Sequence, residues 1–136
     1  MGKPLSDLAL LLRSLDPELH EGVWVYSSVP SDMDLSAVRY IAVIHEAEGT
    51  TVVAPEEEAL KAQLPILFRA AWITLTVHSD LNAVGLTAAV ATALGSAGIS
   101  CNVVAGAHHD HIFLPIDRAD EAMTLLRSLQ RAAIDK

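Results

Sequence analysis

From Trp72 to His78 apolar and polar positions alternate without a break: Ile73, Leu75 and Val77 take one face, Thr74, Thr76 and His78 the other. A period of two marks a strand buried on one side. Ser79–Asn82 then gathers turn and capping residues, and Leu86, Val90 and Leu94 follow on one helical stripe amid alanines. The spacing predicts a long helix running to about Ala97 and ended by Gly98, because glycine readily takes the left-handed conformation that closes helices. Ile99–Ala105 reads as the next strand, Gly106–His108 as a hairpin turn and Asp110–Leu114 as the return strand. Asp117 is placed to cap a last helix whose Ala122, Leu125, Leu126 and Leu129 face inward.

The first half is less regular. Ser6 is positioned to cap a helix over residues 6–15, where Leu8, Leu11, Leu12 and Leu15 recur at helical spacing, and Asp16 with Pro17 ends it. Gly22–Ser27 reads as a strand, Pro30–Asp34 as a turn, and Arg39–Glu46 with Thr50–Ala54 as a hairpin turning at Glu48 and Gly49. Pro55 opens a short helix with Glu56, Glu57 and Glu58 at the positive end of its dipole; a solvated helix start explains that acidic run better than a metal site does. Pro65 interrupts the pattern again. From Trp72 onward the order is β-α-β-β-α, a ferredoxin-like unit short of its last strand. The expected fold is therefore an α+β sandwich of two interlocked halves, residues 1–68 and 69–136, with antiparallel sheets covered by helices. Gly22–Ser27 is the expected donor of the missing strand.

Composition narrows the function classes. Hydrophobic residues make up 51% of the chain, enough to build a packed core rather than a disordered coil. Nine Lys and Arg stand against seventeen Asp and Glu, a net charge of −8 with no basic run, which argues against a nucleic-acid partner. Cys101 is the single cysteine and excludes an internal disulfide framework or a cysteine-based zinc cluster. The opening MGKPLSDLALLLRSLD reads as an amphipathic helix rather than a signal peptide, and no window reaches the roughly 18 apolar residues of a membrane span. A soluble, cytoplasmic protein with no membrane partner is expected.

Three segments together resemble the ACT domain: HSDLNAVGLTAAV at 78–90, GISCNVVAG at 98–106 and HHDHIFLP at 108–115. The likeness covers residues 72–130 and reaches into the first half around Arg39–Val53, with EAEGT at 46–50. The chain is particularly similar to small stand-alone bacterial ACT-domain proteins with two ACT-like halves, and similar also to the paired ACT regions of aspartokinases and to arginine-sensing ACT proteins. That resemblance implies a regulatory sensor that binds a small ligand, typically an amino acid, at interfaces between ACT units. It does not imply chemistry, and a homodimer with no cofactor and no catalysis of its own is expected. It places the ligand on Ser79, Asp80, Leu81, Asn82, Ala83, Val84, Gly85 and Leu86, with Asn102 on the next strand. The residues support such a site on their own account. A helix start offers free backbone N–H groups and a favourable dipole to a carboxylate, Asp80 suits an ammonium group, and Gly85 lets a neighbour approach closely. The alternative job for Asp80 and Asn82 is simple helix capping.

The densest chemistry lies in AGAHHDHIFLP at 105–115. On an extended strand His109 and His111 share one face, His108 and Asp110 the other. A His-x-His pair can supply two zinc ligands, with His78 or Asp110 as a third, so a metal-binding protein or metalloenzyme is the rival expectation. No H-E-x-x-H or C-x-x-C pattern accompanies the pair, and the preferred reading is a hairpin whose imidazoles bond loop carbonyls. His78, Ser79 and Asp80 are sequential, which does not make a triad. Gly95–Gly98 lacks the Lys and Ser/Thr of a phosphate loop. Cys101 is expected to behave as a small core hydrophobe.

Overall fold

The computed structural model describes residues 7–135. In chain order its elements are α1 (Leu8–Arg13), β1 (Pro17–Leu19), β2 (Trp24–Val29), β3 (Ala42–Glu46), β4 (Gly49–Pro55) and α2 (Glu56–Lys61). β5 (Phe68–Leu75), α3 (Leu86–Gly95), β6 (Asn102–Ala105), β7 (Asp110–Pro115), a short 3-10 turn (Ile116–Arg118) and α4 (Ala119–Ile134) follow. The contacts divide the chain into two compact units, one of Met1–His20 with Ala71–Lys136 and one of Glu21–Ala70. The chain thus begins one unit, builds the other, and returns to complete the first.

In the unit that holds both ends of the chain, the strands run β1-β5-β7-β6. Taking β5, β6, β7 and β1 as first to fourth, this is the four-one-three-two order of a ferredoxin-like sheet. Burial explains it. The alternation read from Trp72 to His78 puts Ile73, Leu75 and Val77 in one core with Ile112 and Leu114 of β7. Leu11 and Leu15 near α1, Leu86, Val90 and Leu94 of α3, and Ala122, Met123 and Leu126 of α4 close over them. At roughly 25 cal/mol per Å² of apolar surface, this shared burial is the main force holding the three helices to the sheet. α3 ends at Gly95, two residues before the expected Ala97, and Gly98 closes the turn that follows as its sequence predicts. Gly98 adopts φ +75°, and the Ile99 N–H donates to the Leu94 carbonyl at 3.0 Å.

The fourth strand is where sequence and structure part. Gly22–Ser27 was the expected donor, yet Pro17–Leu19 is the segment that pairs with Leu75–Ile73. β2 pairs with β5 only at Phe68–Ala70, inside the other unit. A three-residue strand carrying a proline shows no alternation, so its partner decides it. Its corner is clamped by Gln130 of α4. The Gln130 amide nitrogen donates to the Arg13 carbonyl at 2.8 Å and to Asp16 Oδ1 at 2.7 Å. Its Oε1 accepts from the Asp16 N–H at 3.0 Å, where Asp16 takes a left-handed φ of 41°. Gln130→Ala removes three hydrogen bonds and should cost about 1–3 kcal/mol in chemical denaturation; an unchanged midpoint would show the clamp to be idle.

The second unit has strand order β3-β4-β2-β5, the same arrangement with β2 first and the start of β5 last. β3 and β4 form the expected hairpin, with Glu46 opposite Gly49. Val25, Val29, Val52 and Ala54 pack with Ala59 and Leu64 around α2, and Leu35 and Val38 join from the irregular stretch between β2 and β3. The acidic start of α2 is more than solvated. Glu56 takes a two-pronged bond from Arg69 at 2.6 and 3.2 Å, which holds its carboxyl below the usual range.

Other differences are local. The expected cap Ser6 lies outside the described residues, and Asp7 caps α1 by accepting from the Leu10 N–H. Asp117 sits in the 3-10 turn and caps nothing: Arg118 precedes α4, with no side-chain cap bond.

Candidate functional site

Helix α3 opens at Leu86. Gly85 is the residue before the helix, and its φ of 102° is one that side chains rarely adopt. A Cβ there would also meet Leu8 Cδ2 at 3.0 Å. No side chain caps the helix. Asp80 instead folds its own loop: its Oδ1 accepts from the Asn82 N–H at 2.8 Å and its carbonyl from the Ala83 N–H at 2.9 Å. The capping alternative for Asp80 and Asn82 is thereby excluded, and the first N–H groups of α3 keep their capacity to bind an anion.

The loop borders a cavity of about 90 Å³ lined by Ser79, Asp80, Leu81, Ala83, Leu86, Thr87, Ala105 and Asp110. Ser79 is buried and donates weakly to Asp110 Oδ2 at 3.4 Å. The lining offers two carboxylates, two hydroxyls and no cation. That composition favours a ligand carrying an ammonium group, while the uncapped helix start favours a carboxylate. Asn82, Val84 and Gly85 shape the loop without lining the cavity. Asn102 lies apart, donating from Nδ2 to the Phe113 carbonyl at 3.2 Å. Ala105, at the other end of the same strand, lines the cavity in its stead. Sequence reading missed Thr87, Ala105 and Asp110. Asp110 stands 31 positions from Ser79, and only the strand pairing brings it there.

The histidines divide among different partners. His109 Nδ1 donates to the Val77 carbonyl at 3.3 Å, as expected of a hairpin imidazole. Its ring lies 6.4 Å from those of His78 and His108. His111 faces Trp72 and Thr74. Among the described residues no three His, Cys, Asp or Glu side chains gather as a metal set, so the His109–His111 metal centre is not assembled. His109 precedes β7 while His111 lies in it, and each imidazole is engaged by its own neighbours. Cys101 precedes β6 rather than lying in it, packs against the core, and has its thiol pKa pushed up by burial. No helix among the described residues is long and apolar enough to cross a membrane.

Comparison with known proteins meets this geometry. The ACT domain family matches residues 3–71 and again residues 68–128. None of the curated proteins searched matches the chain. Among solved structures, a Vibrio cholerae protein of unknown function, described as a possible transport protein, is 44% identical over 90% of this chain and 95% of its own, with a TM-score of 0.82. An Agrobacterium tumefaciens protein is 12% identical over 84% of this chain and 87% of its own, at TM-score 0.68. The ligand-free regulatory subunit of aspartate kinase from Thermus thermophilus is 10% identical over 85% of this chain and 97% of its own, at TM-score 0.64. At such low identity the last two speak for the fold alone. With two domain matches that together span most of its length, the chain belongs to the ACT domain family, whose members are typically regulatory ligand-binding modules.

Proposed function

We propose that this protein is an amino-acid sensor without catalysis of its own, and that its site is the cavity at the start of α3. The observation that carries the proposal is the pairing of an uncapped helix N-terminus with the carboxylates of Asp80 and Asp110. The helix N–H groups take the ligand carboxylate, and the two aspartates take its ammonium. At about 90 Å³ the cavity holds the head group common to all amino acids. The side chain then projects toward Leu81 and Val84, which are 68% and 82% exposed. Those two apolar residues at the mouth of the site support a homodimer in which a second copy covers the ligand. The lone, half-buried cysteine is in keeping with a cytoplasmic setting.

A thermal-shift screen across the common amino acids tests the reading. A true ligand at one hundred times its Kd adds about 2.7 kcal/mol of stability, and the stabilisation should vanish with glycolate or ethylamine, each of which carries one charged group only. If no amino acid moves the transition at millimolar concentration, the sensor reading is wrong.

A further inference from the structure

The polar face of β5 carries a second cluster, independent of the ligand cavity. The Trp72 indole N–H donates to His111 Nδ1 at 3.1 Å, and the Thr74 hydroxyl lies 3.0 Å from the same nitrogen. That hydroxyl is also 2.7 Å from His20 Nε2, and the His20 ring stacks on Trp72 with centroids 3.6 Å apart and planes 12° from parallel. An indole nitrogen can only donate, so His111 Nδ1 must be an acceptor and its proton resides on Nε2. The hydroxyl then has one consistent orientation: it donates to His111 and accepts from His20 Nε2–H. The reverse would set its lone pair against that of Nδ1. Two donors thus converge on a single unprotonated nitrogen, and a third feeds the hydroxyl.

We propose that His111 is a pH-sensing latch that holds β1 on the sheet. The only nitrogen left to protonate is Nδ1. A proton there faces the indole N–H directly, donor against donor, and the Thr74 oxygen changes from donor to that nitrogen to acceptor from it, so its own hydrogen must turn away. One proton therefore breaks the indole bond and reorients the Thr74 hydroxyl, which, being buried, has little access to water. The strand at stake is β1, because His20 follows it directly and its backbone N–H donates to the Trp72 carbonyl at 2.9 Å.

The surroundings agree. Burial first, then the neighbouring His109 and His20, hold the His111 pKa below its usual value, against the opposing pull of Asp110. Burial likewise lowers that of His20, opposed by Glu18. A depressed folded-state pKa stabilises the fold fully above the unfolded value of about 6.5 and is lost as pH falls through the lower one. The latch is accordingly closed at neutral pH and opens on mild acidification.

The test uses the full chain, labelled with nitrogen-15 and titrated from about pH 7.5 to about pH 5. Imidazole spectra should show His111 Nδ1 unprotonated at the start. Once corrected for intrinsic exchange, the Trp72 indole N–H and the His20 amide should lose protection together, by roughly tenfold per pH unit, below the His111 midpoint. In His111→Asn the side-chain oxygen can still accept from the indole but cannot take a proton, so protection should persist at low pH. Finding a proton on His111 Nδ1 at neutral pH, or the same acid-induced exchange in His111→Asn, overturns the proposal. If that variant does not fold, the tautomer and the shared midpoint in the unsubstituted protein decide the matter.

Discussion

Leu15→Ala should destabilise the unit built from both ends of the chain by about 2–5 kcal/mol, the range for emptying a fully buried leucine site. Leu15 has no exposed surface and packs in the same core as Ile73, Leu75 and Leu126. The more telling readout is where the loss appears. If the start of the chain is structurally part of the unit formed by residues 71–135, amide-exchange protection should fall in β5, β7 and α4 as well as in α1. Loss confined to residues 7–20 would mean that the first helix is an appendage and that the unit stands without it.

The second large effect concerns the ligand. Asp110→Asn keeps the shape of the cavity and removes one of its two negative charges. Hydrogen bonds to charged groups contribute about 1.5–3 kcal/mol, so the affinity for an amino acid should fall roughly tenfold to a hundredfold. Asp80→Asn should cost less on that account, because one of its carboxylate oxygens already accepts the Asn82 N–H within the loop. It should instead loosen the loop. Calorimetric titration separates the two, and equal losses in both variants would contradict the division of roles.

What the sequence made legible was local periodicity. β4, the second half of β5, β7, α3 and α4 all show in alternation or helical spacing, because each buries one face and its pattern records which. The same physics explains the omissions. β1 has three residues and exists because β5 offers it a partner more than fifty positions away. β5 begins at Phe68, four residues before the alternation starts, since Arg69, Ala70 and Ala71 carry no period of two. The ligand loop was found from its turn residues and glycine, but its far wall was not. Asp110 was read as one member of a histidine cluster, and strand pairing turns it toward Ser79. The histidine stretch resolves likewise into separate tasks. His109 ties the hairpin to Val77, and His111 serves a latch whose other members, His20, Trp72 and Thr74, lie 37 or more positions away from it in the chain.

The central claim is that an amino acid binds at the start of α3. Its most direct test is an amide spectrum recorded while the amino acid that gives the largest thermal shift is titrated in. Saturable shifts centred on Ser79–Thr87 and Asp110 are expected, with the Leu86 and Thr87 amides moving most as they take up the carboxylate. Spectra that do not change, or shifts that saturate elsewhere with this loop still, would contradict it.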